Sequence, residues 1–99
     1  MPNRIVISET GGPDVLIYEK YNLKDKIDEN NVRIKHHSIG INYIDTYHRS
    51  GLYPLPHKPP ICPGLEASGE IIGLGKNIRN LNIGDRICYA TVPIGAYCE

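Results

Sequence analysis

Four histidines and three cysteines are the first candidates for chemistry in this 99-residue chain. A metal reading meets a geometric objection, because His36 and His37 are neighbours on a predicted strand and point to opposite faces. Cys62, Cys88 and Cys98 are an odd number without a CxxC pair, which signals neither a disulfide framework nor a zinc ribbon and favours free thiols. Cys62, between Ile61 and Pro63, has no neighbouring base in sequence to make it a nucleophile. No metal site is expected. Gly73-Leu-Gly75-Lys76 begins like a phosphate-binding glycine loop, but the GxGxxG pattern fails at Ile78, so a hairpin turn is the better reading. Glu66 sits among small residues in Pro63-Gly-Leu-Glu-Ala-Ser-Gly69. It reads either as an electrostatic element of a cleft or as a carboxylate bonded to nearby turn amides or an arginine. No carboxylate pair or activated histidine base stands out.

The elements that must position these residues are mostly strands. Arg4–Ser8, the turn cluster Gly11-Gly12-Pro13-Asp14 and Val15–Tyr18 read as a β-hairpin. Val32–Ile39 alternates apolar and polar residues over its first half, as a half-buried strand does. The period then changes. Asn42–Ser50 predicts a short helix, with Asn42 as N-cap, Asp45 near the positive end of the helix dipole and Gly51 as the stop. Tyr43 and Tyr47 share a face of it, as do Asp45 and Arg49. Residues 53–64 carry five prolines and must form an irregular, stiff loop. Glu66–Leu74 and Asp85–Ala90 read as strands, separated by turns at Gly75-Lys-Asn and around Asn82-Ile-Gly84. Ile94–Cys98 reads as the start of another strand. The sum is a mainly β, largely antiparallel barrel or sandwich with one short helix.

Composition narrows the function classes. Lys+Arg and Asp+Glu are 11 each, so no basic excess exists to hold a nucleic acid backbone. Seven tyrosines with no Phe or Trp, and far more Ile than Leu, lean the chain toward β structure. No apolar run reaches membrane-spanning length and the N-terminus lacks the apolar core of a signal peptide, so a cytoplasmic protein without a membrane partner is expected. One small domain is present, below the two-domain size of a self-sufficient nicotinamide-dependent enzyme.

At the helix the sequence resembles a known family. Gly40-Ile-Asn-Tyr-Ile-Asp-Thr-Tyr-His-Arg-Ser-Gly-Leu-Tyr53, Pro63-Gly-Leu-Glu-Ala-Ser-Gly69, Gly73-Leu-Gly75, Gly84-Asp-Arg-Ile-Cys-Tyr-Ala90 and Gly11-Gly12-Pro13-Asp14-Val15-Leu16 are similar to the zinc-free quinone oxidoreductases (zeta-crystallin-like) of the medium-chain dehydrogenase/reductase superfamily. These pieces run in order over essentially the whole chain. The resemblance implies a GroES-like, partly open antiparallel β-barrel, residues 1–99 being an incomplete catalytic-domain segment without the nucleotide-binding Rossmann domain. The zinc-dependent relatives hold their metal at places that here look like Asn42 and Leu65. An amide is a poor ligand for zinc and Leu has no donor atom.

The same resemblance places Asn42, Tyr43, Asp45, Thr46 and Tyr47 at the nicotinamide end of NADPH, and Tyr53 at the substrate cleft. Asn42 offers both a donor and an acceptor to a carboxamide or a ribose hydroxyl. The residues alone leave another reading open, with Asn42 a plain N-cap and Asp45 paired to Arg49. Tyr53 could stack on a quinone or cover the underside of the proline-rich loop. The implied activity is hydride transfer from NADPH to a quinone, in which the cofactor does the chemistry and the protein positions it. The competing expectation is a truncated, non-catalytic barrel or split-gene product that acts only with a partner chain, either a complementing Rossmann-domain chain or, through unpaired strand edges, another copy of itself. A co-chaperonin reading has no motif behind it. On either account the 99 residues alone are expected to be inactive and not to bind NADPH, for want of a pyrophosphate site.

Overall fold

The computed structural model describes residues 1–99. Strand β1 (Asn3–Val6) pairs antiparallel with β2 (Ile17–Lys20), Val6 lying opposite Ile17 and Asn3 opposite Lys20. Pro13, whose ring fixes φ, starts the single 3-10 turn Pro13–Val15 between them. The expected hairpin is therefore present, with a longer connection than a tight turn. A second sheet holds β3 (Val32–Ile39), β4 (Glu66–Leu74) and β5 (Arg86–Ala90) in the order β3-β4-β5, both pairings antiparallel.

The core lies under β4. Ala67, Gly69, Ile71 and Gly73 are buried and alternate with more exposed neighbours, as a strand with one inward face requires. Ile71, Ile7 and Ile61 are all 2% exposed or less, and each such side chain contributes roughly 1.5–3 kcal/mol of burial. Only 13 of the 99 residues are buried, so the interior is thin. The first sheet is tied to the segments on either side of the second by single contacts rather than continuous ladders: Ile7 and Ile61, in the proline-rich loop, exchange both backbone bonds, and Ile5 N–H donates to the Tyr97 carbonyl at 2.8 Å. The result is the expected mainly β, partly open barrel.

One expectation fails. Ile94–Cys98 is not a strand; it makes only an isolated bridge, Cys98 to Arg4. Gly95 has φ 139°, outside the pleated region, and Cys98 N–H turns back to the Ala96 carbonyl at 2.7 Å, so the segment coils where it was expected to extend. The glycine pair of Gly73-Leu-Gly75 belongs to the end of β4 and the turn after it; a Cβ on Gly75 would strike the Asp28 and Glu29 carbonyls. Close backbone approach, not phosphate binding, accounts for that glycine.

The helix α1 (Tyr43–Ser50) follows β3 after Gly40, with Asn42 in the N-cap position. It ends as expected at Gly51, whose φ of 85° lets its N–H reach back to the Tyr47 carbonyl at 3.1 Å. The C-terminal end is clamped to the β1–β2 connection by a reciprocal pair, Gly11 N–H to the Arg49 carbonyl at 2.9 Å and Arg49 Nε to the Gly11 carbonyl at 3.2 Å. Neither this helix nor any other is long and apolar enough to cross a membrane.

Gly69 is the tightest crossing of the second sheet: a Cβ there would collide with the Lys35 carbonyl oxygen and stand 3.0 Å from His36 Cα, both backbone atoms of β3. Backbone cannot yield as a side-chain tip can. Gly69→Ala is expected to lower the free energy of unfolding by about 1–3 kcal/mol, the usual cost of forcing extra volume into a packed site. Urea titration checks this, and an unchanged midpoint would contradict it.

Candidate functional site

The site is built on α1, and its organising residue is Asp45. The carboxylate is 5% exposed and Oδ2 accepts two donors, the Asn42 N–H at 3.0 Å and the Tyr97 hydroxyl at 2.5 Å. The first bond satisfies the N-cap backbone and closes the first turn, together with the Asp45 N–H bonded to the Asn42 carbonyl at 3.0 Å. The second reaches across the molecule, since Tyr97 is 52 residues away in sequence. Oδ1 has no hydrogen-bond partner, and neither has Nδ1 of His48, the other buried polar residue of the helix. Burial, and after it the bond to Asp45 and its negative charge, push the Tyr97 phenol above its ordinary value. Asp45 is thus not paired with Arg49, whose guanidinium is spent on Gly11.

Besides its place in the capping box with Asp45, the Asn42 side chain reaches across to β4. Its Nδ2 donates to Glu66 Oε1 at 2.9 Å. Glu66 therefore bonds neither a turn amide nor an arginine, but ties the start of β4 to the start of α1. The Gly40 position makes room for this: any Cβ there would occupy the space of the Glu66 carboxylate. Gly40 N–H in turn donates to the Glu66 carbonyl at 3.1 Å.

The remaining candidates share the outer side of the helix. Asn42 and Tyr43 are exposed, Thr46 and Tyr47 half-buried. Thr46 Oγ1 donates to the Tyr43 carbonyl at 2.6 Å and so faces its own helix. Tyr53 folds back onto α1: its N–H donates to the Tyr47 carbonyl at 3.3 Å and its ring packs against Tyr47 with centroids 5.1 Å apart and planes at 55°. His48 meets the same ring edge-on at 6.4 Å. Tyr53 keeps 46% exposure, so part of the ring still faces outward. Asn42, Tyr43, Thr46, Tyr47 and Tyr53 are thus carried by one helix and the first residues after it, while Asp45 turns inward beneath them.

One residue of this assembly carries no signal in the sequence, and the partner of another carries none. Tyr97 lies in a segment read as a strand beginning, and nothing in its neighbourhood signals a carboxylate partner. Glu66 was singled out, but Asn42 as its partner was not. As to a metal, no group of three or more His, Cys, Asp or Glu side chains converges in the structure. Asn42 is committed to Glu66, and Leu65 offers no donor. These residues do not fit a zinc ion.

Comparison with known proteins follows the same lines. Residues 28–99 match the alcohol dehydrogenase GroES-like domain. The chain is 43% identical over 99 residues to a quinone oxidoreductase of Pseudomonas aeruginosa, covering 100% of this chain and 30% of that protein. Among solved structures, it is similar to the quinone oxidoreductase of Pseudomonas syringae, with a TM-score of 0.93 at 40% identity over 100% of this chain and 30% of that one. It is also similar to the Escherichia coli quinone oxidoreductase complexed with NADPH, with a TM-score of 0.89 at 38% identity over 98% of this chain and 30% of that one. The chain thus spans about 30% of the length of the relatives it matches.

Tyr97→Phe removes one of the two donors to a buried carboxylate and is expected to cost about 1–3 kcal/mol of stability. The effect has a sign in pH. The folded pKa of Tyr97 lies above its unfolded value of 10.0, so its contribution is intact below about pH 10 and is lost as pH rises through the folded value. Unfolding measured between neutral and alkaline pH should therefore show the wild type losing more stability than the Phe variant. Parallel losses would contradict the bond.

Proposed function

This chain belongs to the alcohol dehydrogenase GroES-like domain family, and from that premise we propose that it is the N-terminal catalytic-domain segment of an NADPH-dependent quinone oxidoreductase that works without zinc. The observation that carries the reading is the two-sided helix. Its inner side is fixed by Asp45 and Tyr97, and its outer side offers an amide, held by the Glu66 carboxylate, and an aromatic pair. A neutral, planar, conjugated carbonyl compound suits such a surface better than an anionic substrate would. NADPH, when bound, supplies the hydride; the residues of this chain bind and orient.

Asn42 is the polar anchor of that surface. Its Nδ2 is held by Glu66, which fixes the plane of an amide that carries both donor and acceptor chemistry for a carboxamide or ribose hydroxyl. Tyr43, Thr46 and Tyr47 complete the cofactor side of the helix. The backbone of α1 adds the positive end of its dipole at the Asn42 end, where developing negative charge on a carbonyl oxygen is favoured. Tyr53, braced by Tyr47, is the catalytic-cleft residue: a pre-positioned ring loses little freedom when a flat ring stacks on it, a contact worth about 1 kcal/mol.

Support for NADPH comes from the solved relative that carries it, at 38% identity. Support for a quinone comes from the names of the relatives in Pseudomonas aeruginosa and Escherichia coli, at 43% and 41% identity. The test is kinetic, on the whole protein to which these residues belong. Tyr53→Ala should lower kcat/KM for a quinone about fivefold to tenfold with little change in the KM for NADPH. Asn42→Ala should chiefly raise the KM for NADPH. If the wild type oxidises no NADPH in the presence of any quinone, or if both variants match it, the reading is wrong.

A further inference from the structure

Away from the outer side of α1, three segments meet around two thiols. Cys62 ends the proline-rich loop and Cys98 forms the bridge to Arg4 of β1. Both sulfurs rest on one acceptor, the Gly95 carbonyl, Cys62 Sγ at 3.4 Å and Cys98 Sγ at 3.2 Å. The shared oxygen keeps the two sulfurs within reach of each other, and each thiol is the other's hydrogen-bonding neighbour. The shared carbonyl belongs to a residue at φ 139°, a conformation reserved in practice for glycine.

His36 of β3 lies against Cys98. Its Nδ1 is 2.6 Å from the Cys98 carbonyl oxygen and 3.9 Å from Sγ, and its Nε2 is 3.1 Å from the Tyr89 hydroxyl. A carbonyl only accepts, so Nδ1 carries a proton and points it at the Cys98 residue. The other groups around the pair are Tyr21 and Arg4, whose guanidinium sits 5.0 Å over the Tyr21 ring and pairs with Glu19 at 2.8 Å. The nearby Glu99 carboxylate is taken up by the Asn3 side-chain amide at 2.9 Å. The two thiols are made unequal. Cys62 beside it, then His36 and Tyr21, hold Cys98 down at about 6 against the opposing effect of burial, whereas Cys98 and burial push Cys62 up. A hollow of about 300 Å³ lined by Arg4, Tyr97 and Cys98 opens onto Cys98.

We propose that Cys98 and Cys62 are an oxidisable thiol pair that takes a small hydroperoxide as its oxidant. The Cys98 thiolate attacks the terminal oxygen of the hydroperoxide, the O–O bond breaks, and the other oxygen leaves as water or an alcohol after taking up a proton. Cys98 is then a sulfenic acid. The Cys62 thiol displaces its hydroxyl, forming the S–S bond and releasing one water. Two thiols are oxidised by two electrons and one hydroperoxide is reduced by two. The bond forms one residue from Tyr97, and so beside the group that braces α1.

Cys88, exposed on β5, is the internal reference. The whole protein is treated at neutral pH with one equivalent of hydrogen peroxide, blocked with N-ethylmaleimide, digested and read by mass spectrometry. The expected product is a Cys62–Cys98 linked peptide that disappears on reduction, with Cys88 recovered mainly as the blocked thiol. Iodoacetamide should modify Cys98 about tenfold faster than Cys88 at pH 7, and that advantage should fall away below about pH 6. In Cys62→Ser the sulfenic acid has no resolving thiol and is trapped on Cys98 by dimedone. The wild-type digest stands even if the variant fails to fold. Oxidation of Cys88 ahead of the other two, with Cys62 and Cys98 recovered as free thiols, would overturn the proposal.

Discussion

A carboxylate buried at the first turn of a short helix is the constraint on which the rest depends. Removing Asp45 from water costs several kcal/mol, and each hydrogen bond from a donor to a charged acceptor returns about 1.5–3 kcal/mol. Two such bonds, from Asn42 N–H and the Tyr97 hydroxyl, roughly offset that cost. The favourable end of the helix dipole adds about 0.3–1 kcal/mol. The net contribution to stability is thus small. What the arrangement secures is geometry: the carboxylate is satisfied only when the helix start and the Tyr97 segment are both in place.

That coupling spreads through the barrel. Tyr97 accepts from Ile5 N–H at 2.8 Å and donates its own N–H to the Pro63 carbonyl at 2.9 Å, so the residue that braces α1 also ties β1 to the end of the proline-rich loop. Asp45 serves the N-cap backbone, and the Asn42 Nδ2 bonds Glu66, which fixes α1 to β4. Tyr53 is held from the other end of the helix by the Tyr47 carbonyl and ring. A thin interior with few buried side chains can still present a defined surface, because polar cross-links rather than apolar bulk locate the helix.

The elements were legible where their signals are local. Alternation over its first half marks Val32–Ile39, the turn at Gly75-Lys-Asn bounds Glu66–Leu74, and the N-cap and glycine stop mark α1 nearly to the residue. Ile94–Cys98 misled because apolar residues beside a proline look like a strand, while the left-handed Gly95 that breaks the pleat is visible only in the backbone. The same locality separates what was readable in the site from what was not. Asn42, Asp45 and the tyrosines lie within one helix and its exit, so spacing brings them together. The Asp45–Tyr97 and Cys62–Cys98 neighbourhoods join residues 52 and 36 positions apart, and no periodicity reports such meetings. Arg49 illustrates the converse: helical spacing offered it Asp45, and a free carbonyl at Gly11 took it instead.

The proposed role of the outer side of α1, held from beneath by Asp45, as the surface that meets NADPH in the whole protein is open to a direct test. The most direct measurement is a titration of the isotope-labelled whole protein with NADPH, followed through backbone amide resonances. The account predicts that Asn42, Tyr43, Thr46, Tyr47 and Tyr53 shift together and saturate at a common concentration, while β2 and the turn around Gly84 stay fixed. Saturating binding of NADPH that leaves the amides of 42–53 unmoved would contradict it.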